Sequence, residues 1–192
     1  MKAIKTILFF STLMLVFSCG PTVRTVNPEA TNVNNYDTFA YLPNTNADLD
    51  EKEYNDETIN KGIVEAVKNN LQQEGFELYR DNPDLLVLIR TARDTEIATT
   101  TDPVYATYPY TTGVTAINPY YNPYYYYGYN DVVGYDLDTY AYKEGTLVIN
   151  LIDRQTKNTV WKGVANNTIY DQTSSDAIER MINDIFESFP EG

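Results

Sequence analysis

The 192 residues hold one cysteine and no histidine. Without an imidazole there is no Ser-His-Asp or Cys-His arrangement, no histidine general base, and no ligand set for most transition-metal sites. What remains for chemistry is Cys19, the carboxylates and eighteen tyrosines. Cys19 closes the run Val16-Phe17-Ser18-Cys19, a small residue and a thiol directly behind an apolar stretch. That order resembles the bacterial lipobox, in which the thiol is acylated and becomes the new amino terminus. The plainer alternative is an ordinary signal peptide whose lone cysteine stands there by chance. In either case the chain has no second thiol with which to form an internal disulfide.

The carboxylates gather in three places: Asp136 with Asp138, Asp48 with Asp50 and Glu51, and Asp81 with Asp84. Two carboxylates can act as acid and base on a glycosidic bond or contribute to a calcium site, but none of these sets has a full motif. Solvated loop charge is the better reading of them. No glycine-rich phosphate loop leads into a helical segment, and no dinucleotide fingerprint occurs. The expectation is no catalytic residue, no metal and no cofactor.

Ten of the eighteen tyrosines fall between Tyr105 and Tyr129. Tyr120, Tyr121, Tyr124, Tyr125, Tyr126, Tyr127 and Tyr129 are the densest group and the candidate partner-binding residues. Each offers an apolar ring face with a polar tip, which suits stacking on sugars or packing on a protein. A surface loop, or a segment folded over an open sheet face, is the competing reading. Pro109, Pro119 and Pro123 interrupt the region and forbid a helix or a central strand there, so residues 99–134 read as an insertion.

These residues need elements to position them. Lys2 and Lys5, the apolar run Thr6–Phe17 and then Ser18 make residues 1–18 a lipoprotein signal peptide. The run is too short to span a bilayer, which takes roughly 20 apolar residues. Residues 19–35, with two prolines and no apolar period, read as a flexible tether. Residues 36–192 then form a single domain, which suits their number. Within it, Leu147, Ile149 and Leu151 alternate with Val148, Asn150 and Ile152, the period of a strand. Polar Asp153–Asn158 turns the chain, and Thr159–Tyr170 resumes the pattern around Trp161, which predicts an antiparallel hairpin. Trp161 fits a core position, with a ligand platform as the alternative.

Tyr36–Leu42, Phe76–Arg80, Leu85–Arg93 and Tyr135–Lys143 are further strand candidates. Leu85–Ile89 is apolar on both faces and so reads as a central strand. Asp56–Glu74 repeats apolar residues at helical spacing and is closed by Gly75. The last helix follows Ser174, Ser175 and Asp176, with Ile178, Met181, Ile182, Ile185, Phe186 and Phe189 on one face, and ends at Pro190. Hairpin connections dominate, so the fold class expected is α+β: two layers, a mainly antiparallel sheet with both helices packed on one face.

The motifs YDTFAYLP, the helix ending in EGF, PDLLV, EGTLVINLID, VWKGVA and a last helix closing at Phe189-Pro190 resemble a family of bacterial lipoproteins catalogued as domain of unknown function 4136. The likeness runs from about Tyr36 to Pro190. It implies an α/β fold attached to an envelope membrane, and it supplies no activity and no catalytic residues.

Removal of Lys2 and Lys5 with the signal takes the net charge from −13 to −15. Such a surface repels phosphate backbones, which excludes nucleic acid as a partner, and it leaves the acylated Cys19 as the contact with the lipid bilayer. The expected role is a non-enzymatic interaction or structural module of the cell envelope, with an envelope protein or glycan as partner. Gly20 follows the cysteine without an acidic run, which favours the outer membrane, facing the periplasm. A carboxylate-dependent enzyme acting on envelope glycans is the alternative.

Overall fold

The computed structural model of the chain describes residues 22–27, 31–42, 56–91, 96–98, 102–105, 132–136, 140–142, 145–166 and 175–190. The order is β1 (Thr22–Val26), a 3₁₀ turn (Val33–Asn35), β2 (Thr38–Tyr41), α1 (Asp56–Gln73), β3 (Glu77–Leu78) and β4 (Leu85–Thr91). There follow β5 (Glu96–Ala98), β6 (Asp102–Tyr105), β7 (Val132–Asp136), β8 (Tyr140–Tyr142), β9 (Leu147–Asp153), β10 (Thr159–Asn166) and α2 (Ser175–Phe186).

Six strands form one sheet in the order β1-β10-β9-β4-β2-β3. The β1/β10, β10/β9 and β9/β4 pairs are antiparallel, and the β4/β2 and β2/β3 pairs are parallel. The fold is therefore α+β, with a mainly antiparallel mixed sheet and two helices. The hairpin lies where its alternation places it, at β9–β10, and the doubly apolar Leu85–Ile89 segment lies inside the sheet as β4.

Both helices pack on one face. Phe39, Tyr41, Leu85, Val87, Ile89, Leu147, Ile149, Leu151, Trp161 and Ala165 present that face to Ile63, Val67 and Leu71 of α1 and to Ile178, Met181, Ile182, Ile185 and Phe186 of α2. The six residues that mark the apolar stripe of the last helix are all buried. Trp161 is fully buried between Phe186 and Phe189, with ring centroids 5.1 and 5.0 Å away. It is a core residue and cannot serve as a ligand platform.

The end of α1 follows from its sequence. Gly75 takes φ +96°, a conformation open to a residue without a Cβ, and lets Phe76 N–H reach Leu71 O at 3.0 Å. Phe76 is thereby turned into the core against Phe189. The two helices are joined by a buried amide: Asn70 Nδ2 donates to Asn183 Oδ1 at 2.8 Å and to Ala66 O at 2.9 Å.

Two expectations are corrected. Residues 19–35 are not a tether throughout, since Thr22–Val26 pairs in register with Asn166–Lys162 as an edge strand. Val33 is 1 % exposed and belongs to the core, and Val23 packs against it. The alternation of Thr22 to Val26 is too brief to register as a strand until β10 supplies its edge. Secondly, the borders of the 99–134 insertion are ladder, since β6 pairs antiparallel with β7. Pro103 stands in that two-stranded ladder, where a residue without an N–H is tolerated at an edge. Outside it, β5 pairs with β8, Glu96 opposite Tyr142. Residues 1–18, Cys19 and Tyr120 to Tyr129 lie outside the described residues.

Candidate functional site

One irregularity determines which side chains share a face. The β9–β10 register shifts between Thr159 and Trp161, so Val160 is an extra residue in β10. A bulge of this kind reverses the alternation beyond it. Trp161 consequently pairs with Leu151 on the helix side, and Lys162 pairs with Asn150 on the opposite side.

That opposite face is also buried. Ala40, Leu42, Leu86, Leu88, Val148, Ile152 and Val164 are at most 2 % exposed. The backbone of β7 passes beside β9 and β10. Three polar residues interrupt this apolar surface. Lys162 and Asn150 are both fully buried and directly opposite each other, and Leu88 follows next across β4. In the neighbouring row the half-buried Arg90 stands opposite Val148.

A directly opposed pair keeps its Cβ atoms about 4.5–5.5 Å apart, so Lys162 and Asn150 form one polar island. Both the Oδ1 and the Nδ2 of Asn150 are buried without a hydrogen-bond partner among the described residues. A buried amide left in this way costs on the order of 1–3 kcal/mol per group, and each such case in a folded protein calls for a cause. The island offers a donor and an acceptor beside a cation. It contains no nucleophile–base pair. The sequence signal was present in the Asn that breaks Val148-x-Ile152 and the Lys beside Trp161. Recognising it required knowing that the second face is covered.

The carboxylates are placed elsewhere. Asp84 Oδ2 accepts from Thr38 Oγ1 at 2.7 Å and from the N–H groups of Thr38 and Asp37 at 3.0 and 3.1 Å, while Asp84 N–H donates back to Thr38 Oγ1 at 3.0 Å. Burial works to raise the Asp84 pKa. The hydroxyl of Thr38, the two N–H groups and the Arg154 guanidinium outweigh it and hold the carboxyl below its ordinary range. Asp153 Oδ1 accepts from Gln155 and Thr156 N–H at 2.7 and 3.0 Å, closing the hairpin turn, and its Oδ2 accepts from Tyr36 Oη at 3.0 Å. Again burial raises and hydrogen bonding prevails, so Asp153 is also shifted down. Tyr36 is pushed up to about 12 by burial and by the hydrogen bond and negative charge of Asp153.

This corner ties β2, β4 and the β9–β10 turn together. Arg154 adds bonds from Nε to Pro83 O at 2.7 Å and from its guanidinium to Asn82 Oδ1 at 2.5 Å. Of the three carboxylate sets read from the sequence, Asp84 is occupied here, and its companion Asp81 is an exposed side chain 3.8 Å from Arg80. Asp136 ends β7 opposite Asp102 in register. Asp48, Asp50, Glu51 and Asp138 lie outside the described residues. Among the described residues, no group of three His, Cys, Asp or Glu side chains could hold a metal ion.

Residues 23–191 match the profile of the family described as Domain of unknown function (DUF4136). The chain belongs to that family. The match begins within β1, in keeping with that strand being part of the fold. Among solved structures, this DUF4136 chain is similar to a DUF4136 family protein from Bacteroides thetaiotaomicron, with 20% identity, a TM-score of 0.49 and coverage of 88% of this chain and 94% of that one. It is also similar to a PDZ domain protein from Parabacteroides distasonis, at 15% identity and a TM-score of 0.46. There it covers 90% of its own length and 36% of the other chain, so it spans about a third of that protein. A third likeness is to the PelC dodecamer from Paraburkholderia phytofirmans, at 13% identity and a TM-score of 0.41, covering 86% of this chain and 94% of that one. No curated protein matches the chain. The DUF4136 family carries no assigned function.

Proposed function

We propose that this protein is a lipid-anchored envelope lipoprotein that acts as a non-enzymatic interaction or structural module, held by acylated Cys19. Its place is the outer membrane, facing the periplasm, and its partner is an envelope protein or glycan met by the tyrosines of residues 99–134. The anchor rests on Val16-Phe17-Ser18-Cys19 behind a positive, then apolar, amino-terminal run. The observation that supports the non-enzymatic part is the employment of two half-buried carboxylates. Asp84 and Asp153 are each engaged by three hydrogen bonds that join strands and close a turn, and both are shifted down, away from the range of a general acid. A glycan hydrolase needs one carboxyl kept protonated opposite another.

Two variants test this reading. Cys19→Ala should leave the protein uncleaved or soluble on cell fractionation, and a mutant that stays processed and membrane-bound would refute the anchor. Replacing residues 106–131 by a short Gly/Ser turn preserves β6 and β7. It should leave a folded domain whose retention on envelope extracts and cell-wall glycan is reduced, and unchanged retention would refute the tyrosine contact.

A further inference from the structure

The place of β1 sets how far the domain can stand from its anchor. Only Gly20 and Pro21 separate Cys19 from Thr22, the first residue of β1. Fully extended, that connection reaches about 11 Å, at roughly 3.6 Å per residue. Thr22 pairs with Asn166, and the next row across the sheet runs Val23, Ala165, Leu147, Thr91. One end of the sheet therefore carries the start of β1, the end of β10, the start of β9 and the end of β4. The other end carries the β9–β10 turn, which lies roughly 20 Å away at ~3.3 Å per residue.

Resting on the reading of Cys19 as the acylated residue, we infer that the domain docks flush on the bilayer, with the β1-start end of the sheet against the headgroups and the Arg154–Asn158 turn pointing away. The chain leaves β4 at Thr91 and re-enters at Leu147 at this same end, so the segment that carries the tyrosine insertion departs from the six-stranded sheet on the membrane side.

The test uses the full acylated chain in vesicles of phosphatidylethanolamine and phosphatidylglycerol carrying a headgroup spin label. A fluorophore is placed on Asn166→Cys or, as a second near probe, Arg24→Cys, and on Thr156→Cys at the far turn. The expected result is loss of most of the fluorescence from both near probes with little loss from the far one. Inserting about twelve Gly/Ser residues after Gly20 should restore the near signals while the protein still sediments with vesicles. Equal quenching of near and far probes in vesicle-bound protein would overturn the inference. Failure to sediment at all, seen before any probe is read, would overturn the anchor and the docking together.

Discussion

Ile185 of α2 lies directly over Gly163 of β10, so closely that a Cβ on the glycine would stand 2.3 Å from Ile185 Cγ2 and 2.6 Å from Trp161 Cη2. The approach is permitted only by the missing side chain, and it lets the helix bring Phe186 onto Trp161. Gly163→Ala must therefore displace the helix or the indole. Overpacking of this kind costs about 1–3 kcal/mol, so the denaturant midpoint should fall with m unchanged. A midpoint equal to that of the parent would mean that α2 stands further from β10 than described.

Phe186 is 5 % exposed, stacks on Phe189 and abuts Trp161. Phe186→Ala should lose about 3–5 kcal/mol through lost burial and the cavity that remains. Equilibrium unfolding in urea, followed by the fluorescence of the single tryptophan, reads both the stability and the packing about Trp161.

Asn150 should behave in the opposite sense. Its amide, between Leu88 and Lys162 in the sheet, is buried without a hydrogen-bond partner among the described residues, so Asn150→Leu removes a desolvation cost and keeps the volume. The expected gain is on the order of 1–2 kcal/mol. A loss of stability would show that the amide is satisfied in solution, by a bound water or a polar guest.

The corner at Tyr36 gives two limbs of pH dependence. Asp84 and Asp153 have folded pKa values below their unfolded ones, so their contribution is present above about pH 4 and is lost as pH falls through the folded values. Tyr36 has a folded pKa raised to about 12, so its contribution is complete below about pH 10 and is lost as pH climbs toward 12. Thermal melts across pH should show both limbs. Tyr36→Phe should flatten the alkaline one, and Asp84→Asn should weaken the acid one. An alkaline limb that survives Tyr36→Phe would assign it to another group.

Much of this architecture was legible in local pattern. The alternation of Leu147–Ile152, the helical spacing of Ile178–Phe186 and the stop at Gly75 are each set by neighbours a few residues apart, and each forms where its pattern places it, although the last helix stops at Phe186, short of its expected end at Pro190. The family likeness was carried by the same segments. The polar turn Asp153–Asn158 was equally visible, because an aspartate that can accept from the N–H groups two and three residues on is a local device.

What the sequence by itself determined is thus the period of each element, the absence of histidine and a second thiol, and the surplus of negative charge. The tertiary structure decided which faces meet. The bulge at Val160 sends Trp161 to the helices and Lys162 to the opposite side, although both stand in one unbroken run of residues. β10 made a strand of Thr22–Val26, whose alternation is too brief to mark one alone, and Thr38 reached across 46 residues to occupy Asp84. The physical reason is range. Periodicity records the geometry of a few successive residues, whereas register, bulges and edge pairing depend on partners that only folding brings within hydrogen-bonding distance.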